Sequence, residues 1–193
     1  MRKIAVAGLL GCEKALELLE IHRKELEQHF SRAFLKEVTA LPVHGLTAEE
    51  RKVLDQMTGS GFYVTAISQG GIFGALWRAC EEQETEEDPD MTGSFGCEVD
   101  PDRIPLRQEV TEICELFREN PYEVPSPGAR LIVWDEEQEP KLSEVVLSIL
   151  RQSAIIGKLT FSKKRILSGS GGIRYLTPPA RQNKDIANRK NEV

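Results

Sequence analysis

Phe62-Tyr63-Val64-Thr65-Ala66-Ile67-Ser68-Gln69-Gly70-Gly71-Ile72-Phe73-Gly74-Ala75-Leu76-Trp77-Arg78-Ala79-Cys80 is the stretch that decides the fold. Its first part is β-branched and aromatic and stops at Ser68 and a glycine pair. Its second part changes to helical period, with Ile72, Ala75, Leu76 and Ala79 on one stripe and Phe73 and Trp77 beside it. The pattern predicts a buried strand, a tight turn and a buried helix. Paired glycines permit positive φ and close approach of another molecule to the backbone, and the first turn of a helix leaves N–H groups unpaired. Such a turn attracts phosphate or carboxylate. Equally, Gly70 and Gly71 can serve only the tight packing of strand on helix, the ordinary role of a lone Gly-Gly.

Upstream, Ile4 to Ala7 reads as a short strand, and Gly8-Leu9-Leu10-Gly11 as a glycine-bounded turn that opens one long helix. Ala15, Leu19, Leu26, Phe30, Ala33 and Phe34 keep a core-facing spacing along that helix. Gly8 and Gly11 are therefore a second candidate for backbone approach to a ligand, with a simple turn as the alternative. Thr47-Ala48-Glu49-Glu50 is a capping box that starts a short helix faced by Val53, Leu54 and Met57.

Downstream, residues 81–93 open on Glu81-Glu82-Gln83-Glu84-Thr85-Glu86-Glu87-Asp88-Pro89-Asp90, a run too acidic to pack, which predicts a solvated loop. Ser94 to Val99 reads as a strand, and Val110, Ile113, Cys114 and Phe117 mark an amphipathic helix. Asn120 to Gly128 is a proline-rich connection. Leu131 to Trp134 is an apolar strand, and Leu142, Val145, Val146, Ile149 and Leu150 predict another helix. Ala154 to Thr160 and Lys164 to Leu167 read as adjoining strands, with a turn at Ser168 to Gly172 before Ile173 to Leu176. The domain is expected to end at Pro179, leaving a basic tail over residues 180–193.

A chain of 193 residues suits one domain with a sizeable core. Its net charge of −6, with no basic stripe interleaved with aromatics, argues against a nucleic-acid or anionic-membrane role. No run of about 18 apolar residues predicts a membrane span. The opening Met1 to Gly11 is too short and glycine-broken for a signal peptide, so a cytoplasmic location is expected. Cys12, Cys80, Cys97 and Cys114 form no Cys-x-x-Cys pair and are expected to be reduced and structural; His22, His29 and His44 complete no metal-ligand spacing.

The order of elements indicates an α+β fold, an α/β sandwich with helices covering a sheet, and neither glycine turn has the spacing of a dinucleotide-binding fingerprint. Gly70-Gly71-Ile72-Phe73-Gly74-Ala75-Leu76-Trp77, Ile104-Pro105-Leu106-Arg107-Gln108-Glu109-Val110-Thr111-Glu112-Ile113-Cys114, Asn120-Pro121-Tyr122-Glu123 and Leu176-Thr177-Pro178-Pro179 together resemble the C-terminal domain of the aminoimidazole ribonucleotide synthetase superfamily, in its hydrogenase-maturation-factor-like branch. The resemblance runs from about Ile4 to Pro179 and implies a mixed, mainly antiparallel sheet covered by helices.

In that superfamily an N-terminal domain supplies most of the ATP and magnesium site and the usual dimer interface, and the C-terminal domain closes over the substrate. The resemblance therefore implies half of an enzyme, with no cofactor evident in this chain and ATP and magnesium reached only through a partner domain. It implies as partner a separately encoded N-terminal ATP-binding protein, in a homodimer or hetero-oligomer. Where relatives carry an Asp-x-Thr-x-Gly-Gly type turn, this chain has Ala66, Ser68, Gln69, Gly70 and Gly71, so the acid is gone while hydroxyl and glycine backbone remain. Ser126-Pro127-Gly128 replaces a Ser-Ser-Gly-type turn, and the chain ends Asn191-Glu192-Val193 without the reactive terminal cysteine of thiocyanate-forming maturation factors. The expected ligand site is an anion or phosphate cradle at Ser68, Gln69, Gly70 and Gly71, with Gly8 and Gly11 nearby, and no catalytic or metal residue. Two other readings stand beside it: a non-catalytic interaction or scaffold module, and a small complete enzyme using Arg107, Arg174 and the acidic loop.

Overall fold

The computed structural model describes residues 2–59, 61–82, 95–135 and 153–179. The helix expected at Leu142 to Leu150, most of the acidic loop, and the tail after Pro179 lie outside them. The strands are β1 (Arg2–Ala7), β2 (Phe62–Ile67), β3 (Gly96–Val99), β4 (Ser126–Asp135), β5 (Ser153–Thr160), β6 (Arg165–Gly169) and β7 (Gly172–Tyr175). The helices are α1 (Cys12–Ile21), α2 (Arg23–His29), α3 (Arg32–Thr39), α4 (Ala48–Gln56), α5 (Gly71–Glu82) and α6 (Gln108–Leu116).

The strands form one sheet in the order β2-β4-β1-β5-β3-β6-β7. Only the β3–β6 pair is parallel; the other neighbours are antiparallel. The fold is thus the mixed, mainly antiparallel α+β arrangement expected. Alternation sorts β1 between two cores, as the pleat requires. Ile4 and Val6 join the α5 side with Ile72, Leu76 and Leu131, while Ala5 and Ala7 join Leu54, Phe62, Ile132 and Trp134 under α4. A third core packs α1, α3 and α6 through Ala15, Leu19, Val38, Val110 and Ile113, and Leu106 packs against both it and the α5-side core.

Four local readings are corrected. The single N-terminal helix is three: α1 stops at His22, and Ser31 starts α3 by accepting from the Phe34 amide at 3.2 Å, a side-chain cap that favours a fresh helix start. β6 does not adjoin β5, because β3 lies between them. β4 begins at Ser126, inside the proline-rich stretch, since Pro127 can enter a strand where its missing N–H is not needed. Glu81 and Glu82 belong to α5 rather than to a loop, each held by a donor: Trp77 Nε1 gives to Glu81 at 2.6 Å and Tyr63 Oη to Glu82 at 2.7 Å. The Thr47 and Glu50 capping box forms in both directions.

α4 is tied to the sheet by charge as well as by Leu54. Arg130 of β4, almost wholly buried, donates through Nε and Nη2 to the two carboxylate oxygens of Asp55 at 2.7 and 3.0 Å, and through Nη1 to the carbonyls of Pro127 and Ala129. These donors hold the Asp55 carboxyl below its ordinary value. A depressed carboxyl stabilises the fold above its unfolded pKa, near 3.8, and that contribution disappears as pH falls through the lower folded value. The expected outcome for Asp55→Asn is a melting temperature below wild type at neutral pH, with the gap closing in acid below 3.8. A gap that keeps its size from neutral pH into acid would show that the pair does not stabilise the fold by charge.

Candidate functional site

The turn between β2 and α5 is built by two left-handed glycines, Gly70 at φ 79° and Gly71 at φ 58°, a region L side chains enter at a cost. Gly71 also has no room for a side chain: a Cβ there would collide with the carbonyl oxygen of Tyr122 and the backbone of Glu123. That carbonyl accepts from the amides of Ile72 at 2.9 Å and Phe73 at 3.5 Å, while the Gly71 amide goes to the Ser68 carbonyl at 2.9 Å. The first-turn donors of α5 are therefore spent on the protein itself. The amides of Gln69 and Gly70 have no partner among the described residues.

A cleft of about 390 Å³ opens beside this turn, lined by Gln69, Gly70, Phe73, Gly74, Arg78 and Glu123 and closed by Thr177, Pro178 and Pro179. Arg78 is the residue that reading the sequence for glycines misses. Helical side chains lean toward the N-terminus, so an arginine in the second turn reaches back over the first. Its Nη1 donates to the Gln69 carbonyl at 3.2 Å and its Nη2 to Ser68 Oγ at 3.3 Å. It makes no ion pair among the described residues. Gly74 leaves the space it crosses, since a Cβ there would sit 3.4 Å from Nη1. The signal was present: an arginine four residues after a helical glycine, on the face of the turn. Phe73 stacks on Tyr122 with ring centres 5.3 Å apart, and the Arg174 guanidinium stands 6.0 Å from the Phe73 ring centre.

The structure places Gln69 and Gly70 on the wall of this cleft, ties Ser68 to it only through Arg78, and buries Gly71. Gly8 and Gly11 do not line it. Gly8, at φ 91°, is packed against Leu46, Gly45 and Ala129. The Gly11 amide donates to buried Ser126 Oγ at 2.8 Å, and a Cβ on Gly11 would press on Val110. Their glycines serve close packing. Arg107, from the reading as a complete enzyme, is engaged by Glu109 through two hydrogen bonds of 2.6 and 3.0 Å. Among the described residues no three His, Cys, Asp or Glu side chains gather where they could hold a metal ion, and no helix is long and apolar enough to cross a membrane.

No protein-family model matches the sequence, and no curated protein does. Solved structures do match. The mixed, mainly antiparallel α+β fold is similar to that of aminoimidazole ribonucleotide synthetase-like C-terminal domains. The chain overlays on a HypE–HypF complex with a TM-score of 0.67 at 16% identity, covering 92% of this chain and 53% of the other. On HypE, a hydrogenase maturation protein, from E. coli the TM-score is 0.63 at 18% identity, with 95% and 51% covered. On thiamine-monophosphate kinase from Stenotrophomonas maltophilia it is 0.55 at 15%, with 89% and 50% covered. The chain thus spans about half the length of the structures it matches.

Substitution at the turn separates strain from collision. Gly59, at φ 86° with nothing within 4 Å of an added Cβ, supplies the reference. Gly59→Ala is expected to cost about 1–2 kcal/mol, the left-handed penalty alone. Gly71→Ala should cost at least about 2 kcal/mol more in urea unfolding, because the Tyr122 carbonyl must also move. Equal costs at the two positions would contradict the packing described.

Proposed function

We propose that this chain is the substrate-side domain of an aminoimidazole ribonucleotide synthetase-like or hydrogenase maturation factor-like protein. It binds a phosphate-bearing small molecule or nucleotide in the cleft at Ser68, Gln69, Gly70 and Arg78. The observation that carries the reading is the Arg78 guanidinium beside the Gln69 and Gly70 amides: among the described residues no carboxylate pairs with the first and no acceptor with the other two. Guanidinium and backbone N–H groups together suit phosphate oxygens. Gly71, though part of the turn, acts by packing, and Gly8 and Gly11 support the frame behind it.

On this reading any ATP-dependent step needs a separately encoded partner domain that brings nucleotide and magnesium, because phosphoryl transfer depends on bound metal and no three His, Cys, Asp or Glu side chains gather to hold one among the described residues. The protein works in the cytoplasm, where four free buried cysteines stay reduced. HypE structures with ATP and with HypF, and a ThiL structure with AMPPCP and TMP, support phosphate ligands and a protein partner as the classes to try. A second reading, a non-catalytic module acting through self-association or a protein partner, is favoured by exposed Ile173 and Tyr175 on the edge strand β7.

Amide NMR with inorganic phosphate, AMP and thiamine monophosphate distinguishes them. At least one should shift the Gln69 and Gly70 signals, and Arg78→Ala should weaken that binding about tenfold or more, the loss of a charge-assisted hydrogen bond. No shift at these amides across the panel, together with a concentration-dependent dimer in sedimentation, would replace the ligand reading with the module reading.

A further inference from the structure

The cleft beside the β2–α5 turn has a second cation near it, one that the turn itself does not use. Arg174 leaves β7 on the α5 side of the sheet, because its register partner in β6, Leu167, belongs to the α5-side core. Its guanidinium stands 6.0 Å from the centre of the Phe73 ring, and Phe73, half-buried in the cleft wall, stacks on Tyr122. The Arg174 side chain is exposed and makes no hydrogen bond or ion pair among the described residues. Its charge reaches the aromatic pair all the same: burial raises the Tyr122 phenol, and Arg174 works against that rise.

The spacing is not that of a closed cation–aromatic stack. Arg165 lies 3.6 Å from the centre of the Trp77 ring, which is van der Waals contact, whereas Arg174 stands well beyond contact with Phe73. A planar ring held between two layers needs about 7 Å between them, two contacts of about 3.5 Å each. An arginine with no partner to release can open to that width by a small turn of its own side chain.

We propose, resting on the phosphate reading of the cleft, that its ligand carries a neutral planar ring held between Phe73 and Arg174, and that Arg174 rejects phosphorylated ligands whose ring is a cation. The phosphate meets Arg78 and the Gln69 and Gly70 amides, and the ring takes the space over Phe73. A neutral ring stacks on the phenyl group with one face and offers its other π-face to the guanidinium. A cationic ring, such as the thiazolium of thiamine monophosphate, meets the like charge of Arg174 at stacking distance. Glu123 at the rim does little to offset this, since the Asn120 side-chain amide occupies it at 2.8 Å. A purine nucleoside monophosphate is therefore chosen over a thiamine phosphate although both present the same phosphate group.

Amide NMR titration of the full chain gives the dissociation constants of inorganic phosphate, ribose 5-phosphate, AMP, GMP and 7-methylguanosine 5′-monophosphate. The last two are matched in shape, and in mildly acidic buffer the methylated ring carries a positive charge. AMP should bind about tenfold tighter than ribose 5-phosphate, the worth of one base stacked on an aromatic side chain. GMP should bind roughly fivefold or more tighter than its methylated form, the cost of like charges in contact close to water. Arg174→Gln, an exchange at an exposed position, should remove most of that preference and leave inorganic phosphate binding unchanged. Phosphate binding at the Gln69 and Gly70 amides with equal affinity for GMP and its methylated form, with equal affinity for AMP and ribose 5-phosphate, or with a preference that survives Arg174→Gln, overturns the proposal alone. No shift at those amides with any of the five ligands overturns it together with the phosphate reading.

Discussion

The carbonyl oxygen of Tyr122 determines where α5 begins. It takes the Ile72 and Phe73 amides that a helix start would otherwise leave open, and it sits where any side chain at position 71 would stand. Tyr122 is itself placed by Asn120, whose side-chain oxygen accepts from the Tyr122 amide at 3.1 Å and whose backbone carbonyl accepts from Glu123 at 2.9 Å. The Asn-Pro-Tyr-Glu turn therefore acts as a clamp. It follows α6 and precedes β4, and with Leu106, which packs against both cores, it is one of the links between the α1–α3–α6 core and the sheet core. The same clamp takes up the first amides of α5 and leaves those of Gln69 and Gly70 without a partner among the described residues.

On the other face of the sheet, glycine again allows backbone to meet backbone. A Cβ on Gly45 would fall 2.5 Å from the Leu9 amide nitrogen, and one on Gly128 would fall 2.9 Å from Gly45. The segment entering α4 thus lies directly on the ends of β1 and β4, and Arg130 with Asp55 fastens the helix that follows. Gly8 belongs to this stack. Its positive φ is a packing solution, because three backbones converge where side chains would hold them apart.

Much of this was legible in the chain because it is local. The switch from period two to period 3.6 at Ser68 locates β2 and α5, and Thr47 with Glu50 announces α4. The break at Ser31 was missed because Phe30, Ala33 and Phe34 keep helical spacing across it, and Phe30 and Phe34 do stack, with ring centres 4.5 Å apart. The placing of β3 between β5 and β6 depends on long-range pairing, for which a short β3 of four residues carries no local signal. At the site, the glycine turn was readable but the carbonyl that consumes its amides was not, since Tyr122 lies 50 residues downstream of Ile72. Whether a glycine offers its backbone to a ligand or to the protein depends on tertiary contact rather than on spacing.

The charge of the cleft runs against that of the chain. With 31 acidic residues to 25 basic, the average surface repels anions, yet the turn collects cations. Arg78 crosses it, and Arg174 stands over Phe73, whose ring forms part of the wall. Glu123 opposes them at the rim but is occupied by the Asn120 side-chain amide at 2.8 Å. Partly enclosed walls lower the screening that exposed charges suffer, so two guanidinium groups near one cavity act on a ligand more strongly than scattered lysines would. On the proposed function, such an arrangement would favour a compact anion with a flat group beside it. The anion would meet Arg78 and the amides of Gln69 and Gly70, and the flat group would meet Phe73. On the proposed function, an acidic protein with its cations gathered at one glycine turn would select ligands by where their charge sits, which overall attraction could not do.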